Sequence, residues 1–354
     1  MLDVRLNHAI TLMGDGIFRD CDGSFRPLPP ELEILTSLSH QWQPCEALLT
    51  EGFPLWQIER LFRVGIADVG RGSFQIPRRA RIYYEEQFPR KAAERPLASW
   101  LATPIPRVPW VGLPYTNLAR LAHSTALGLA DILASANPQT VSVLGVLPDQ
   151  APSAHGADAL ANLVGLADVL GQRLGIVGGD HRATWSILRA VKSALPGKIV
   201  QYVHIDAHHD LYGYRSDQPP LLINHANFLA DLLQRGDIDR AVLIGCRDSA
   251  EPVRAALKDR LPISLSPDGR AWRPADWSDS AHTHLSIDLD VLDPRYASAV
   301  SSPIEEGWCL PQLIRSIKEI MNETRVDSCS VVEAGGGDVA TTEAALAVIQ
   351  QLGA

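Results

Sequence analysis

Beyond residue 107 the chain is a succession of apolar runs that stop on charged or glycine-rich residues: VPWVGLPY, TVSVLGVLPD, LGIVGGD, IVQYVHIDA, AVLIGCRD, LPISLSP, THLSIDLDVLD and SCSVVEAGGG. Each has the length of a strand and stays apolar on successive residues, as a strand buried on both faces must. Helical stretches such as ATWSILRAVKSAL and FLADLLQRG lie between many of them. Strands alternating with helices predict a parallel sheet covered on both sides, with ligands beyond the carboxyl ends of its strands. The polar residues obey that rule. Asp180 and His181 follow LGIVGG, Asp206, His208, His209 and Asp210 close VQYVHI, Asp288 and Asp290 end HLSI, and Glu333 follows CSVV. One mouth of the sheet is expected to gather them.

If VHIDAHHDLY stays extended, Asp206, His208 and Asp210 project to one face and His209 to the other, where it is structural or supports the ligands from behind. Asp288 and Asp290, two apart on their strand, also point the same way. Four carboxylates and two imidazoles then converge from three strands: His181, Asp206, His208, Asp210, Asp288 and Asp290. Buried together they repel, unless a pair of divalent cations neutralises them. Oxygen and nitrogen donors without thiolate favour Mn²⁺ or a similar first-row ion over a structural zinc. Two such ions suggest hydrolysis, because water shared between them ionises near neutral pH. Cys21, Cys45, Cys246, Cys309 and Cys329 are scattered and show no CxxC spacing, so they read as ordinary thiols.

With 354 residues, 46% hydrophobic and 21% charged, the chain has room for one large α/β domain and an accessory unit. A net charge of −9 disfavours nucleic acid as the partner. The N-terminal stretch MLDVRLNHAITLMGDG carries charges inside every apolar run, so no signal peptide or membrane anchor is expected and the protein reads as cytoplasmic. Residues 1–75 read as a small unit. AITLMGDGIFRDCDGSFRPL places the turn signals GDG and CDG between short strands, and PPELEILTSL and FPLWQIERLFRVGI have helical spacing. Residues 76–107, rich in proline and charge, read as a linker, and residues 108–354 as the catalytic domain.

GGDH at 178–181, DAHHD at 206–210, SIDLDVLDP at 286–294 and the strand-end Glu333 resemble the ureohydrolase (arginase/agmatinase) family. The resemblance implies a three-layer α/β/α fold with a mainly parallel eight-stranded sheet, and two Mn²⁺ ions. His181, Asp206, Asp210 and Asp288 would hold one ion, and Asp206, His208, Asp288 and Asp290 the other, with Asp206 and Asp288 bridging. It implies further that His225, Asp210 and Glu333 are the catalytic groups, with Glu333 gripping a guanidinium and His225 passing a proton to the departing amine. Asn224 and Asn227 are candidates for the same wall. A homo-oligomer is expected on the same ground.

Three positions depart from the family pattern. Arg182 follows GGDH in place of serine, GGGD follows Glu333 and Ala334 in place of a proline-containing turn, and Tyr212 stands where arginases carry an asparagine that helps bind the free amino acid's carboxylate. Recognition of free arginine is therefore not expected. The unit at 1–75 resembles the winged-helix element that binds leader peptides in ribosomally made natural-product pathways. The expected substrate is accordingly arginine within a precursor peptide, converted to ornithine. The alternatives are an agmatinase or other small guanidino-amine hydrolase, a one-zinc deacetylase of similar fold, and a non-catalytic regulator.

Overall fold

The computed structural model describes residues 108–113, 125–137, 140–146, 154–214, 223–248, 251–259, 261–266, 268–269 and 272–353, together with Gln41 and seven short strands between residues 3 and 76. Those strands are β1 (Asp3–Leu6), β2 (Ile10–Met13), β3 (Gly16–Arg19), β4 (Ser24–Pro27), β5 (Gln43–Pro44), β6 (Ala67–Arg71) and β7 (Phe74–Ile76). β2, β3 and β4 form one antiparallel sheet, and the other four pair in the order β5-β1-β6-β7; the residues between β2 and β3 and between β3 and β4, where the GDG and CDG signals fall, lie outside the described residues. The helices expected at PPELEILTSL and FPLWQIERLFRVGI, and the linker after Ile76, lie outside the described residues.

The apolar runs beyond residue 107 form one sheet of eight strands: β8 (Pro109–Leu113), β9 (Ser142–Val146), β10 (Leu174–Gly178), β11 (Val200–Ile205), β12 (Arg240–Ile244), β13 (Ile263–Ser266), β14 (His282–Asp288) and β15 (Ser328–Val332). Their order is β13-β12-β11-β14-β15-β10-β8-β9, and every pairing is parallel. Parallel neighbours require crossovers. The described helices are α1 (Thr125–Ser135), α2 (Ala154–Leu170), α3 (Arg182–Ala194), α4 (Phe228–Arg235), α5 (Glu251–Lys258), α6 (Leu310–Glu323) and α7 (Val339–Leu352).

Two apolar cores separate these helices by face. One joins α2, α3, α4 and α5 to residues such as Ile176, Tyr202 and Leu243, and the other joins α1, α6 and α7 to Val177, Val203, Val242, Leu285 and Val331. The result is three layers, helices on both sides of one sheet. α3 turns Ile187, Leu188, Ala190 and Val191 inward, as a stripe of helical period should. α4 ends where Gly236 takes φ 69° and the amides of Gly236 and Asp237 return to Leu233 and Leu232, a glycine-dependent stop. Gly175 in β10 lies under the Trp110 ring, where a Cβ would come within 2.5 Å of it. Among the described residues, no helix is long and apolar enough to cross a membrane.

β11, β14, β15 and β10 are neighbours at the centre of the sheet, so their carboxyl ends open at one place. Two expected details differ. β11 stops at Ile205, and Asp206 to His208 form a bend, so these residues do not alternate along an extended strand. Asp288 is the last residue of β14, while Asp290 sits in a single 3₁₀ turn, Leu289–Val291. In both cases the backbone turns at the strand end, because a sheet pairing ends there and the amides find side chains instead. His208 N donates to Asp206 Oδ1 at 2.6 Å, and Asp290 N to Asp288 Oδ1 at 2.8 Å.

Candidate active site

His181 is the N-cap of α3, directly beyond β10, and its side chain is 1% exposed. Its Nδ1 lies 3.0 Å from Asp206 Oδ2, 3.0 Å from Asp210 Oδ2 and 3.1 Å from Asp288 Oδ2. His181 Nδ1, Asp206 Oδ2 and Asp210 Oδ2 are nevertheless buried without a hydrogen-bond partner. Buried polar atoms are rarely left so. Two donor atoms each roughly 2.0–2.2 Å from a shared ion lie about 3 Å apart when the angle between them is near 90°. The spacing and the orphaned atoms therefore fit a divalent cation held by His181, Asp206, Asp210 and Asp288.

A second group adjoins the first. His208 Nδ1 is 2.9 Å from Asp290 Oδ2 and 3.5 Å from Asp206 Oδ1. Asp206 thus offers one oxygen to each group, as a bridging carboxylate would. Asp288 has only Oδ2 toward His181, since its Oδ1 accepts the Asp290 amide. His204 also lies close, 3.2 Å from Asp206 Oδ2. Both its nitrogens are engaged: Tyr202 Oη is 2.7 Å from Nδ1, and Nε2 is 3.0 Å from the His208 carbonyl. Burial also holds His204 neutral, with its pKa lowered. It braces the turn and is a poor candidate for a ligand.

The electrostatics show a deficit of positive charge. Burial, then the neighbouring Asp206, raises the carboxyl of Asp290 to about 7, and burial with Asp290 and Asp206 pushes Asp288 well up. Burial and Asp180 raise Glu333 to about 8. Burial opposes a charged imidazole at His208, yet Asp206 and Asp290 lift it to about 12, and carboxylates likewise outweigh burial at His181. Cations placed here would return every carboxylate to its charged form.

His181, His208, Asp210, Asp288 and Asp290 line a cavity of about 210 Å³, together with Tyr212, His225, Ala226, Ser301, Ser302 and Glu333. Glu333 leaves β15 with φ 65°, and Asp210 has φ 50°. Among the described non-glycine residues only Glu306 shares this left-handed conformation, which bulky side chains adopt at a cost. Glu333 is locked by its own amide on the Gly179 carbonyl at 2.8 Å and by the His181 amide on Oε1 at 2.9 Å. Its Oε2 is buried and has no hydrogen-bond partner.

His225 borders the cavity, but Asn224 and Asn227 do not. Asn224 Oδ1 accepts the Ala226 amide and Asn227 Oδ1 the Asn224 amide, so both shape the turn before α4. His209 is turned away, fully buried, with its ring 4.6 Å from that of Tyr212. Tyr212 Oη donates to Asp248 Oδ2 at 2.7 Å, which holds the ring against the cavity rim. Arg182, the residue in place of serine, forks onto the buried Asp180 at 2.9 and 3.0 Å. Ser301 and Ser302 went unnoticed in the sequence because no motif marks them; they reach the cavity through a loop after β14. Arg247 was missed also. Its guanidinium donates to the carbonyls of Gly245, Asp290, Val291 and Ile304, fastening the turn that carries Asp290.

Comparison with known proteins agrees with this architecture. Residues 150–353 match the model of the Arginase family. The chain is 29% identical over 216 residues to the mitochondrial arginase of Medicago truncatula, covering 57% of this chain and 60% of that protein. It is 28% identical over 180 residues to a putative agmatinase of Schizosaccharomyces pombe, covering 44% and 43%. The matched stretch thus spans less than two thirds of either relative. The crystal structure of arginase from Bacillus subtilis superposes with a TM-score of 0.56 at 19% identity, over 69% of this chain and 97% of that one, a likeness of fold. By the match over 150–353, this chain belongs to the arginase family.

Proposed function

We propose that this protein is a binuclear manganese hydrolase that splits a guanidino group into urea and an amine, and that its substrate is arginine within a peptide, leaving ornithine. The observation that carries the chemistry is the packing of three carboxylate oxygens within 3.1 Å of one buried imidazole nitrogen, beneath an unpartnered oxygen of Glu333. His181, Asp206, Asp210 and Asp288 would hold one ion and Asp206, His208, Asp288 and Asp290 the other. Two divalent cations there supply the acidity that makes water a nucleophile near neutral pH.

The remaining steps belong to the chain's own side chains. The Glu333 carboxylate accepts two hydrogen bonds from the guanidinium and fixes its plane, with Oε1 already held by the His181 amide. Its charge, disfavoured by burial and by Asp180, is favoured by a cationic substrate. His225 at the cavity edge delivers a proton to the departing amine, since an imidazole nitrogen can both hold and release one. The ring of Tyr212 and the Ser301 and Ser302 hydroxyls confine the chain that bears the guanidinium.

Peptidyl arginine is favoured over the free amino acid because no lysine or arginine is among the described residues lining the cavity. A free carboxylate would find no cationic partner among those residues. The strands described between residues 3 and 76 lie outside the family match and pair into two small antiparallel sheets, suited to holding a leader peptide by edge pairing. The same lack of a cation suits agmatine, which is the second reading. Incubating the Mn²⁺-loaded chain with an arginine-containing precursor peptide, agmatine and arginine separates them. Loss of CH₂N₂ from the peptide with urea release is the expected result. Urea from agmatine alone would overturn the peptide assignment, and a single tightly held zinc with deacetylation would overturn the hydrolase class.

A further inference from the structure

Beneath the cavity, on the face of β14 and β15 that α3 covers, three hydroxyls touch one another. Thr184 Oγ1 is 2.9 Å from Ser286 Oγ and 2.9 Å from Ser330 Oγ, and Ser330 Oγ donates to Ser286 Oγ at 2.9 Å. All three residues are fully buried. Three oxygen–oxygen contacts of this length need three hydrogens, and the three hydroxyls carry three. Each hydroxyl then donates once and accepts once around a closed ring, with no hydrogen left over.

Two imidazoles lean on this ring. His181 Nε2 is 3.0 Å from Ser286 Oγ, and His284 Nε2 is 3.0 Å from Ser330 Oγ. Because the ring has spent its hydrogens, both imidazoles must be the donors, so both carry a proton on Nε2. His284 Nδ1 is left to accept from Ser328 Oγ at 2.8 Å, and that hydroxyl touches His282 Nε2 at 2.8 Å. At His181 the same choice makes Nδ1, the atom facing Asp206, Asp210 and Asp288, the nitrogen that carries the lone pair in the neutral ring.

We infer that Thr184 and Ser330 are positioning residues: with Ser286 they form a hydroxyl ring that fixes His181 and His284 as Nε2–H donors and so aims the Nδ1 lone pair of His181 at the cation site. This rests on the metal reading above only for its purpose; the ring's hydrogen bonding does not require an ion. Partners that set the tautomer of a ligating histidine are typically worth about 10- to 100-fold in metal affinity.

Histidine-selective ¹⁵N NMR of the metal-free full chain, paired with Mn²⁺ titration by calorimetry, tests it. His284 is expected as the neutral Nε2–H tautomer, with a hydrogen-bonded Nε2 proton on His181 as well. Thr184→Val, close in volume, and Ser330→Ala are each expected to weaken Mn²⁺ binding about 10- to 100-fold with the far-UV circular dichroism unchanged. Thr184→Ser, which restores the hydroxyl, is expected to rescue it. His284 protonated on Nδ1, or wild-type Mn²⁺ affinity in both Thr184→Val and Ser330→Ala, would overturn the ring while leaving the metal site intact. A wild-type chain that shows both Nε2–H donors yet takes up no Mn²⁺ would instead sink the metal reading, and the ring's purpose with it.

Discussion

The two faces of β14 and β15 are built from the same strands and are equally buried, yet they are chemically opposite. Toward α6 and α7 they present Leu285, Ile287, Cys329 and Val331, part of a continuous apolar core. Toward α3 they present His282, His284, Ser286, Ser328 and Ser330, all at most 3% exposed and hydrogen-bonded to one another. One face is held by exclusion of water, which is tolerant of detail; the other by directional bonds, each of which leaves an orphan if broken. The polar face lies directly under His181. This chain secures its scaffold on one side of the central strands and braces its candidate site from the other.

Truncating the apolar face gives the sharpest contrast. Leu285→Ala is expected to cost about 2–5 kcal/mol of stability, read by urea denaturation, while the folded fraction keeps its Mn²⁺ affinity. A loss of affinity larger than about threefold would mean that the two faces are not independent.

Acid is expected to strike the polar face. Burial keeps His282 neutral and pushes its pKa down to about 4 from an ordinary 6.5. Below 6.5 the unfolded chain takes up a proton that the folded chain refuses until about pH 4, so stability from this group is complete above 6.5 and lost as pH falls through that window. The loss amounts to roughly 3 kcal/mol. Denaturation of wild type and His282→Gln at pH 7 and pH 4.5 isolates it, because the variant should show the shallower fall. Equal slopes would remove His282 from the account.

Glu333→Gln separates substrate grip from metal binding. Loss of a charged hydrogen-bonding pair is worth roughly 1.5–3 kcal/mol, about a 10- to 100-fold fall in kcat/KM for the guanidino substrate. Mn²⁺ affinity by calorimetry should stay the same; a large drop would place Glu333 among the ligands. The smallest effect is expected at the rim, where Tyr212→Phe removes the bond to Asp248 and costs roughly 0.5–1.5 kcal/mol. That loss should appear in KM with little change in kcat, and a change confined to kcat would bring Tyr212 into contact with the reacting atoms.

Much of the centre was legible along the chain. The sheet's strands could be read because burial on both faces leaves an unbroken apolar run, and the acidic and imidazole groups could be read because they interrupt those runs at the exits. The way they meet could not. Asp206, His208 and Asp210 converge through a bend and a left-handed Asp210, and Asp290 through a 3₁₀ turn, where an extended strand was expected. Asn224 and Asn227 looked like wall residues and serve the turn before α4, since a side-chain amide next to a helix start satisfies backbone groups first.

The fold class, the strand exits and the kind of atoms gathered at them could all be read along the chain, because periodicity and composition are properties of neighbours in the chain. Which strands lie side by side, the meeting of Thr184 with Ser286 and Ser330 across more than a hundred residues, and the hold of Arg247 on the turn of Asp290 became visible only in the folded chain. Those contacts depend on strand order and on the docking of α3, and a single serine or threonine in a buried run carries no local mark of the partner it will find.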